Sequence, residues 1–257
     1  MLKMYKVDLN CDLGESFGSY TIGRDADMLP LITSANIACG MHAGDPVVMR
    51  KTVRLALDAG VALGAHPGLP DLMGFGRRRM DISPEEAYAL VLYQTGALAA
   101  FAAAEGARLQ HVKPHGALYN MAAKDYLLAH AIARAVYDLD PELILFGLAG
   151  SESVRAAQDV GLRVASEVFA DRAYLPDGSL MPRSEKGAVI TDENKSLAQA
   201  LSLVTEGKVT AAGGAQIAVQ ADTICVHGDG IKALAFTRKI RAALEEHKVT
   251  VCSFTQG

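Results

Sequence analysis

The sequence predicts an α/β fold in which seven short strands alternate with helices and form one parallel sheet. Three stretches repeat one pattern: an apolar helix ends at a glycine, a short β-rich run follows, and the run finishes on polar or ionisable residues. They are residues 60–66, 106–115 and 161–167. Glycine after a helix is the expected left-handed cap, and runs this short are typical of strands buried beneath helices.

The other elements follow in the same alternation. Four more strands are predicted at residues 5–9, 35–39, 143–148 and 223–227. Two helix starts are marked by Asp45 before Pro46, and by a capping box of Ser83 and Glu86 around Pro84. These two helices are expected to end at the glycines of positions 60 and 106, and further helices are expected near residues 125–137, 151–160, 193–205 and 231–246.

The chain reads as a single domain over residues 1–257. It is 50% hydrophobic and 21% charged, so it can bury a large core, and no linker rich in Pro, Gly or Ser divides it. Two long irregular stretches, residues 69–81 and 170–188, stand between predicted elements. Loops of this size in a compact α/β unit are usually functional, so both are candidate lids over an active site.

Charge and cysteine usage exclude several classes of function. A net charge of −4 and a pI of about 6.0 give no basic field for nucleic acid or an anionic membrane surface. The first ten residues lack the features of a secretory signal, and no unbroken apolar run is long enough to span a membrane. The four cysteines are far apart without a CxxC pair. We therefore expect a cytoplasmic protein that acts on small molecules.

Ionisable side chains cluster where the predicted strands end. Parallel barrels and open α/β sheets place their sites at that edge. Four of the seven histidines stand there beside turn residues, and each could instead be a hydrogen-bonded structural residue. The sequence HGDG at His227 could also be a simple turn. The candidates are Asn10, Asp12, His42, His66, Lys113, His115, Glu167 and His227.

Two acidic residues near the first strand have open roles. Asp12 and Glu15 could form a carboxylate pair for acid–base catalysis or metal binding, or a loop acid could cap a following turn. Asp45, which precedes a proline, is more simply a helix cap.

Basic residues provide candidate sites for anions. Lys113 lies in an apolar run, where an ammonium needs a partner or a phosphate to offset desolvation. The sequence GFGRRRM places Arg77 and Arg78 in a glycine-containing loop that could close over a carboxylate or phosphate, or simply be solvated. The second long loop admits the same two interpretations for Asp171, Arg172 and Arg183.

Several nucleotide-binding and catalytic motifs are absent. The chain contains no GxxxxGK[ST], GxSxG or HExxH, and no GxGxxG follows the first strand. These residues alone indicate a barrel-like hydrolase or lyase with a histidine-rich site. A metal site of three histidines with Asp12 stays open.

Six sequence blocks together resemble the LamB/YcsF family. They are VDLNCDLGES, NIACGMHAGDP, GAHPGLPDLMGFGRR, VKPHGALYN, EVFADRAY and ICVHGD, in that order, and the resemblance extends from Val7 to about Leu244. It implies a seven-stranded parallel (βα) barrel similar to the glycoside hydrolase/deacetylase fold. It also implies ATP-dependent hydrolysis of 5-oxoproline to glutamate by a three-component 5-oxoprolinase, in which this chain works with subunits B and C. Mg²⁺ could accompany ATP, at a site that the sequence does not locate.

The implied reaction suggests roles for the candidates. Lys113, with Arg77, Arg78 or Arg172, would stabilise phosphate and the substrate carboxylate. Asp12 or Glu167 would activate water, while His66 or His115 would protonate the departing nitrogen. Two other hypotheses remain: a metal-dependent amidohydrolase or deacetylase that acts without ATP through Asp12, His42 and His66, and a non-catalytic subunit that binds substrate.

Overall fold

Parallel strands dominate the computed structural model of the chain, which describes residues 5–226 and 231–254. The strands, in chain order, are β1 (Tyr5–Leu13), β2 (Ser34–Ala38), β3 (Ala62–His66), β4 (His111–Val112), β5 (Ile144–Leu148), β6 (Arg163–Phe169), β7 (Lys208–Thr210), β8 (Gln216–Ala218), β9 (Thr223–Val226) and β10 (Val249–Val251).

Helices connect most of these strands. They are α1 (Asp25–Met28), α2 (Pro46–Asp58), α3 (Pro84–Ala104), α4 (Gly116–Ala122), α5 (Tyr126–Leu139), α6 (Glu152–Val160), α7 (Glu193–Thr205) and α8 (Ile231–Glu246), with a short 3-10 turn at Leu29–Leu31.

Seven of the strands close into a barrel. The parallel order is β1, β2, β3, β4, β5, β6 and β9, and β9 returns to pair with β1 through Asp8 opposite Thr223. β10 pairs with the start of β1 outside the barrel, through Tyr5 opposite Val249. The predicted seven-stranded parallel barrel is therefore confirmed, and the seven predicted strands are the seven that close it.

The helix signals in the sequence are present as hydrogen bonds. The Asp45 carboxylate accepts from the backbone N–H groups of Val47 and Val48 at the start of α2. At the start of α3, Ser83 and Glu86 form a complete capping box. Both signals satisfy backbone donors that have no partner within the helix, so they fix where each helix begins.

β1 is longer than predicted, because its polar residues belong to the strand. Side chains along a strand alternate between its two faces. Leu9 and Cys11 pack in the hydrophobic core, whereas Asn10 and Asp12 reach Lys113 inside the barrel. The prediction that β1 ends at Leu9 was wrong, since polar residues that resembled a strand end are instead the interior face of the barrel.

The barrel interior is polar near the amino ends of its strands, opposite the end where the carboxyl ends of the strands meet. The Asp8 carboxylate accepts hydrogen bonds from the hydroxyls of Thr33 and Ser34, each at 2.6 Å, and from that of Thr223. Higher in the barrel, the His111 ring lies so close to Gly64 that a Cβ there would stand 2.0 Å from its Nε2. Only glycine leaves room for this ring.

α3 has the length and composition of a helix that could cross a membrane. In this fold it contacts α5, β3 and α2, and it contributes Val91 and Leu98 to the core. A core helix passes the same test of length and composition, so α3 is weak evidence for a membrane span.

Several short elements carry no clear sequence signal. They are α1, α4, β10 and the antiparallel hairpin of β7 and β8. The two predicted long loops are irregular, and the second is held by isolated bridges that pair Arg172 with Val189 and Tyr174 with Leu180. The assignment of the chain to one domain stays a prediction.

Candidate active site

A cavity of about 1030 Å³ opens at the carboxyl ends of the barrel strands. Its wall includes Asp12, His66, Lys113 and Cys225, which come from or directly follow four different barrel strands. Tyr119 of α4 and Phe169 of β6 add aromatic surface. The position agrees with the edge where parallel barrels place their sites.

Lys113 is the central cation of this site. Its side chain is buried, and its Nζ lies 2.8 Å from Glu167 Oε1, 3.1 Å from Asp12 Oδ1 and 3.1 Å from Asn10 Oδ1. Burial would lower the pKa of Lys113, but Asp12, Cys225 and Glu167 outweigh burial and hold that pKa well above its ordinary value. The residue is therefore a fixed ammonium at the base of the cavity.

Asp12 links the lysine to a histidine. Its Oδ2 lies 3.3 Å from His66 Nε2, while its Oδ1 faces Lys113. Burial would raise the pKa of Asp12, but His66 and Lys113 outweigh burial and hold the pKa well below its ordinary value. Asp12 is thus an ionised carboxylate at the cavity surface at neutral pH.

His66 and His115 are each oriented by a backbone carbonyl. His66 Nδ1 donates to the Lys113 carbonyl at 2.6 Å, and His115 Nε2 donates to the Phe75 carbonyl at 2.9 Å. The other two ring nitrogens, His66 Nε2 and His115 Nδ1, face each other at 2.9 Å. Burial lowers the pKa of His115 to about 3, so its ring is neutral near pH 7.

His42 and Glu15 lie behind this pair. The His42 ring stacks on His115 with centroids 3.7 Å apart and planes within 4°. Its Nε2 lies 3.5 Å from Glu15 Oε1, which is 3.8 Å from His115 Nδ1. Burial lowers the pKa of His42 well below its ordinary value, so this ring too is neutral.

One potential ligand atom from each of Glu15, His42, His66 and His115 lies within 4.8 Å of the others, so the group could hold a metal ion.

The loop between β3 and α3 closes over these rings because it contains glycine at a critical turn. Gly76 has φ of +61°, which other residues rarely adopt. A Cβ there would lie 2.6 Å from the Cβ of His42 and 3.0 Å from the ring of His115. This close approach puts the Phe75 carbonyl in position to accept from His115.

Cationic side chains surround the outer cavity. Of the predicted arginines, Arg77, Arg172 and Arg183 line its wall. Arg172 is buried, donates to the carbonyls of Met181 and Ala188, and has a pKa lowered by burial. Arg79, the third arginine of the GFGRRRM loop, and Lys124 also line the cavity, although neither was named individually as a candidate. Among the residues that the structure describes, the acidic side chains on this wall are Asp12 and Asp125, so the described part of the mouth favours anions.

Other predicted site residues lie elsewhere. Arg78 does not line the cavity, because its guanidinium pairs with the Asp71 carboxylate, with Nε 2.9 Å from Oδ2. Asp171 is also outside the lining, and its backbone carbonyl accepts a hydrogen bond from the backbone N–H of Ile190 at the end of the second loop.

Asn10 and Glu167 lie beneath the cavity surface and contact it through Lys113. His227 is outside the described residues.

Sequence reasoning missed two neighbours of Lys113 and Glu167. Cys225 Sγ lies 3.2 Å from Lys113 Nζ, and burial raises the pKa of this thiol well above its ordinary value. Burial, followed by the charge of Glu167, likewise raises the pKa of Tyr119, so its hydroxyl stays protonated. Tyr119 follows His115 by four residues, one helical turn, which is the signal that could have placed it at the site.

Comparisons with known proteins agree with the resemblance. The LamB/YcsF family matches residues 7–257 of this chain. A protein from Bacillus subtilis, named as the A subunit of 5-oxoprolinase, is 59% identical over 253 residues, which cover 98% of each chain. One of the same name from Tolumonas auensis is 60% identical over 248 residues, which cover 96% of this chain and 99% of that protein.

Solved structures support the same assignment. The crystal structure of a lactam utilization protein from Thermus thermophilus has a TM-score of 0.92 and 53% identity, covering 97% of this chain and 100% of that one. A T48 deacetylase is only 13% identical, with a TM-score of 0.52 over 98% of this chain and 90% of that one, and shares the fold alone. On the extent of these matches, the chain belongs to the LamB/YcsF family.

Proposed function

We propose that the chain takes part in the ATP-dependent hydrolysis of 5-oxoproline to glutamate, as one component of a three-subunit enzyme with subunits B and C. Its relatives are named as the A subunit of 5-oxoprolinase and as a lactam utilization protein, and these names support the substrate class and a multi-subunit enzyme. The observation that carries the proposal is the Asp12–Lys113–Glu167 cluster, which lies at the base of a cavity with a cationic mouth.

The substrate fits the polarity of this cavity. 5-Oxoproline is a small anion with one carboxylate and one planar amide. An arginine such as Arg77 or Arg183 would bind the carboxylate, which leaves further cations at the mouth for a phosphoryl group. Lys113 would then face the polarised lactam oxygen, where a fixed positive charge stabilises developing negative charge.

In the reaction proposed first, ATP would activate the lactam. The five-membered amide is resonance-stabilised and lacks the strain to open easily, whereas phosphorylation of its oxygen would activate the ring carbon. One water then adds to this carbon, the carbon–nitrogen bond breaks, and the nitrogen accepts a proton, which gives γ-glutamyl phosphate. A second water hydrolyses this acyl phosphate, so that 5-oxoproline, ATP and two waters give glutamate, ADP and phosphate. Mg²⁺ would accompany the nucleotide, and the absence of a P-loop motif leaves the nucleotide site outside this proposal.

The side chains of the cluster suggest roles in ring opening. Ionised Asp12 would orient the attacking water and accept its proton. His66, which contacts Asp12, would carry a proton onward to the nitrogen that leaves the ring. Glu167 is completely buried against Lys113, so it would hold the ammonium in place rather than meet water.

The decisive experiment is reconstitution. The purified chain, subunits B and C, and the three-part mixture are each given 5-oxoproline, ATP and Mg²⁺, and both glutamate and ADP are measured. We expect equal amounts of both products from the full mixture alone. Full turnover by B and C without this chain would overturn the proposal. An Asp12→Asn chain that joins the complex but loses turnover would exclude a purely substrate-binding role.

A second candidate function is metal-dependent amide hydrolysis without ATP. The buried group of Glu15, His42, His66 and His115 is the observation that favours it. Glutamate release from 5-oxoproline by the chain alone, without nucleotide and sensitive to a chelator, would establish this alternative in place of the first.

A further inference from the structure

We propose that Glu15, His66 and His115 bind one divalent transition-metal ion of the zinc type, with a fourth position open toward the cavity. The inference rests on the geometry of these side chains, and a metal ion bound through His66 Nε2 would replace the proton transfer given to that nitrogen above.

The first argument is a count of protons. His66 Nδ1 and His115 Nε2 both face backbone carbonyls, at 2.6 and 2.9 Å, so both must carry hydrogen. A neutral imidazole has one N–H, so His66 Nε2 and His115 Nδ1 then each present a lone pair. These two lone pairs face each other across 2.9 Å. Such an arrangement is repulsive unless a cation lies between the nitrogens.

The second argument is the anionic surroundings. Asp12 Oδ2 lies 3.3 Å from His66 Nε2, and Glu15 Oε1 lies 3.8 Å from His115 Nδ1. Carboxylate oxygens that face imidazole lone pairs add to the repulsion, and one divalent ion would relieve all of it. A proton shared between the rings would supply one positive charge beside these two carboxylates, whereas a divalent ion supplies two.

The third argument is the spacing of the ligand atoms. A tetrahedral zinc site with nitrogen ligands about 2.0–2.1 Å from the metal separates its ligand atoms by about 3.3 Å. The distances of 2.9 Å from His66 Nε2 to His115 Nδ1, and 3.8 Å from His115 Nδ1 to Glu15 Oε1, bracket that value. Small side-chain rotations would complete the site.

The carbonyls of Lys113 and Phe75 already act as outer partners that orient the two rings. Metal-binding histidines usually donate their second N–H to such a carbonyl or carboxylate. Here the same bonds also fix which nitrogen of each ring is available: Nε2 of His66 and Nδ1 of His115. Both histidines line the cavity, so a substrate atom or water could reach the open position.

His42 is excluded as a ligand by its stacking on His115. The two ring planes differ by 4° and their centroids are 3.7 Å apart, so their in-plane lone pairs run parallel and do not converge on one ion. His42 Nε2 instead faces Glu15 Oε1 at 3.5 Å. We therefore assign His42 as a positioning residue that supports the His115 ring and the Glu15 carboxylate.

The experiment is zinc binding by the purified full chain. The protein is stripped with a chelator, dialysed and titrated with Zn²⁺ by calorimetry, and bound metal is counted by elemental analysis. We expect one ion per chain, at least about tenfold weaker binding in His115→Ala and Glu15→Gln, and unchanged binding in the control His130→Ala, which alters an exposed histidine. Bound Co²⁺ should give the visible absorption of a tetrahedral ion.

Two outcomes would overturn the proposal. Wild-type chain that takes up no stoichiometric Zn²⁺ or Co²⁺ would show that the rings share a proton instead. Because the alanine variant could fail to fold, His42→Phe gives a second test, since phenylalanine keeps the stacking and removes the nitrogens. This variant should retain one zinc ion, and a loss equal to that of His115→Ala would refute the three-ligand assignment.

Discussion

The Nζ of Lys113 lies 2.8 Å from Oε1 of Glu167, in a pair that is almost completely buried inside the barrel. Lys113 directly follows β4 and Glu167 lies in β6, and β5 separates these two strands in the barrel. Attraction between buried charges offsets their desolvation only when both partners are present. This pair therefore couples the stability of the barrel to the charge of its active site.

Lys113→Met should lower the free energy of unfolding by about 3–5 kcal/mol, because it leaves buried Glu167 without its countercharge. Glu167→Gln should cost less, since Lys113 keeps Asp12 as a partner. Denaturant unfolding would measure both, with exposed Lys208→Met on β7 as the control. Equal losses in the two variants would contradict this account.

The contact between Gly64 and His111 predicts the effect of one added methyl group. Gly64→Ala would place a Cβ 2.0 Å from His111 Nε2, and the ring is held by Asn36 at 2.8 Å and stacked on Phe146. We expect destabilisation of about 1–3 kcal/mol, as for other overpacked cores.

Gly96→Ala is the matched control for that substitution. Gly96 lies in α3 with open space around its Cβ position, so alanine should stabilise the helix by up to about 1 kcal/mol. Thermal unfolding of the two variants should therefore shift in opposite directions. Stabilisation by both substitutions would show that His111 moves away easily.

Arg79 provides a test of the cationic mouth. Arg79→Gln should weaken use of the anionic substrate, with a KM raised about tenfold, because a hydrogen bond to a charged group contributes about 1.5–3 kcal/mol. Arg108→Gln removes an equal charge at the start of the β4 segment, outside this cavity, and should leave KM unchanged. Steady-state kinetics of the reconstituted complex would measure both. The same KM in the two variants would argue against a role for the mouth.

Much of this fold was predictable because its signals are local. Helix caps such as Asp45 and glycine after helices mark the boundaries directly, and parallel strands bring their ends to one edge. This second rule predicts that Asp12, His66, Lys113 and His115 lie together. Strands of three residues, such as β8, carry too little pattern to be detected.

Other features depend on tertiary structure that no periodicity encodes. Arg78 and Arg79 are adjacent in one irregular loop, yet one pairs with Asp71 and the other lines the cavity. The sequence did not identify Cys225 as a site residue, because it lies in the apolar run of β9, where a cysteine resembles any small core residue. The approach of its sulfur to Lys113 became visible only with the barrel closed.

The buried carboxyl group of Asp8 should make the free energy of unfolding depend on pH. Burial raises the pKa of its carboxyl from 3.8 to about 6, only partly offset by the hydroxyls of Ser34, Thr223 and Thr33. A raised pKa means that the folded chain holds this proton more tightly than the unfolded chain does. The stability that Asp8 contributes is therefore complete below pH 3.8 and is lost as the pH rises through about 6.

Asp8→Asn should remove this dependence. Between about pH 5 and pH 8, the unfolding free energy of the wild type should fall by roughly 1–1.5 kcal/mol more than that of the variant. Urea unfolding at the two values measures the difference, and Asp58→Asn, which changes an exposed carboxylate at the end of α2, should follow the wild type. Parallel profiles for Asp8→Asn and wild type would mean that Asp8 stays ionised in the barrel, stabilised by its three hydroxyl donors.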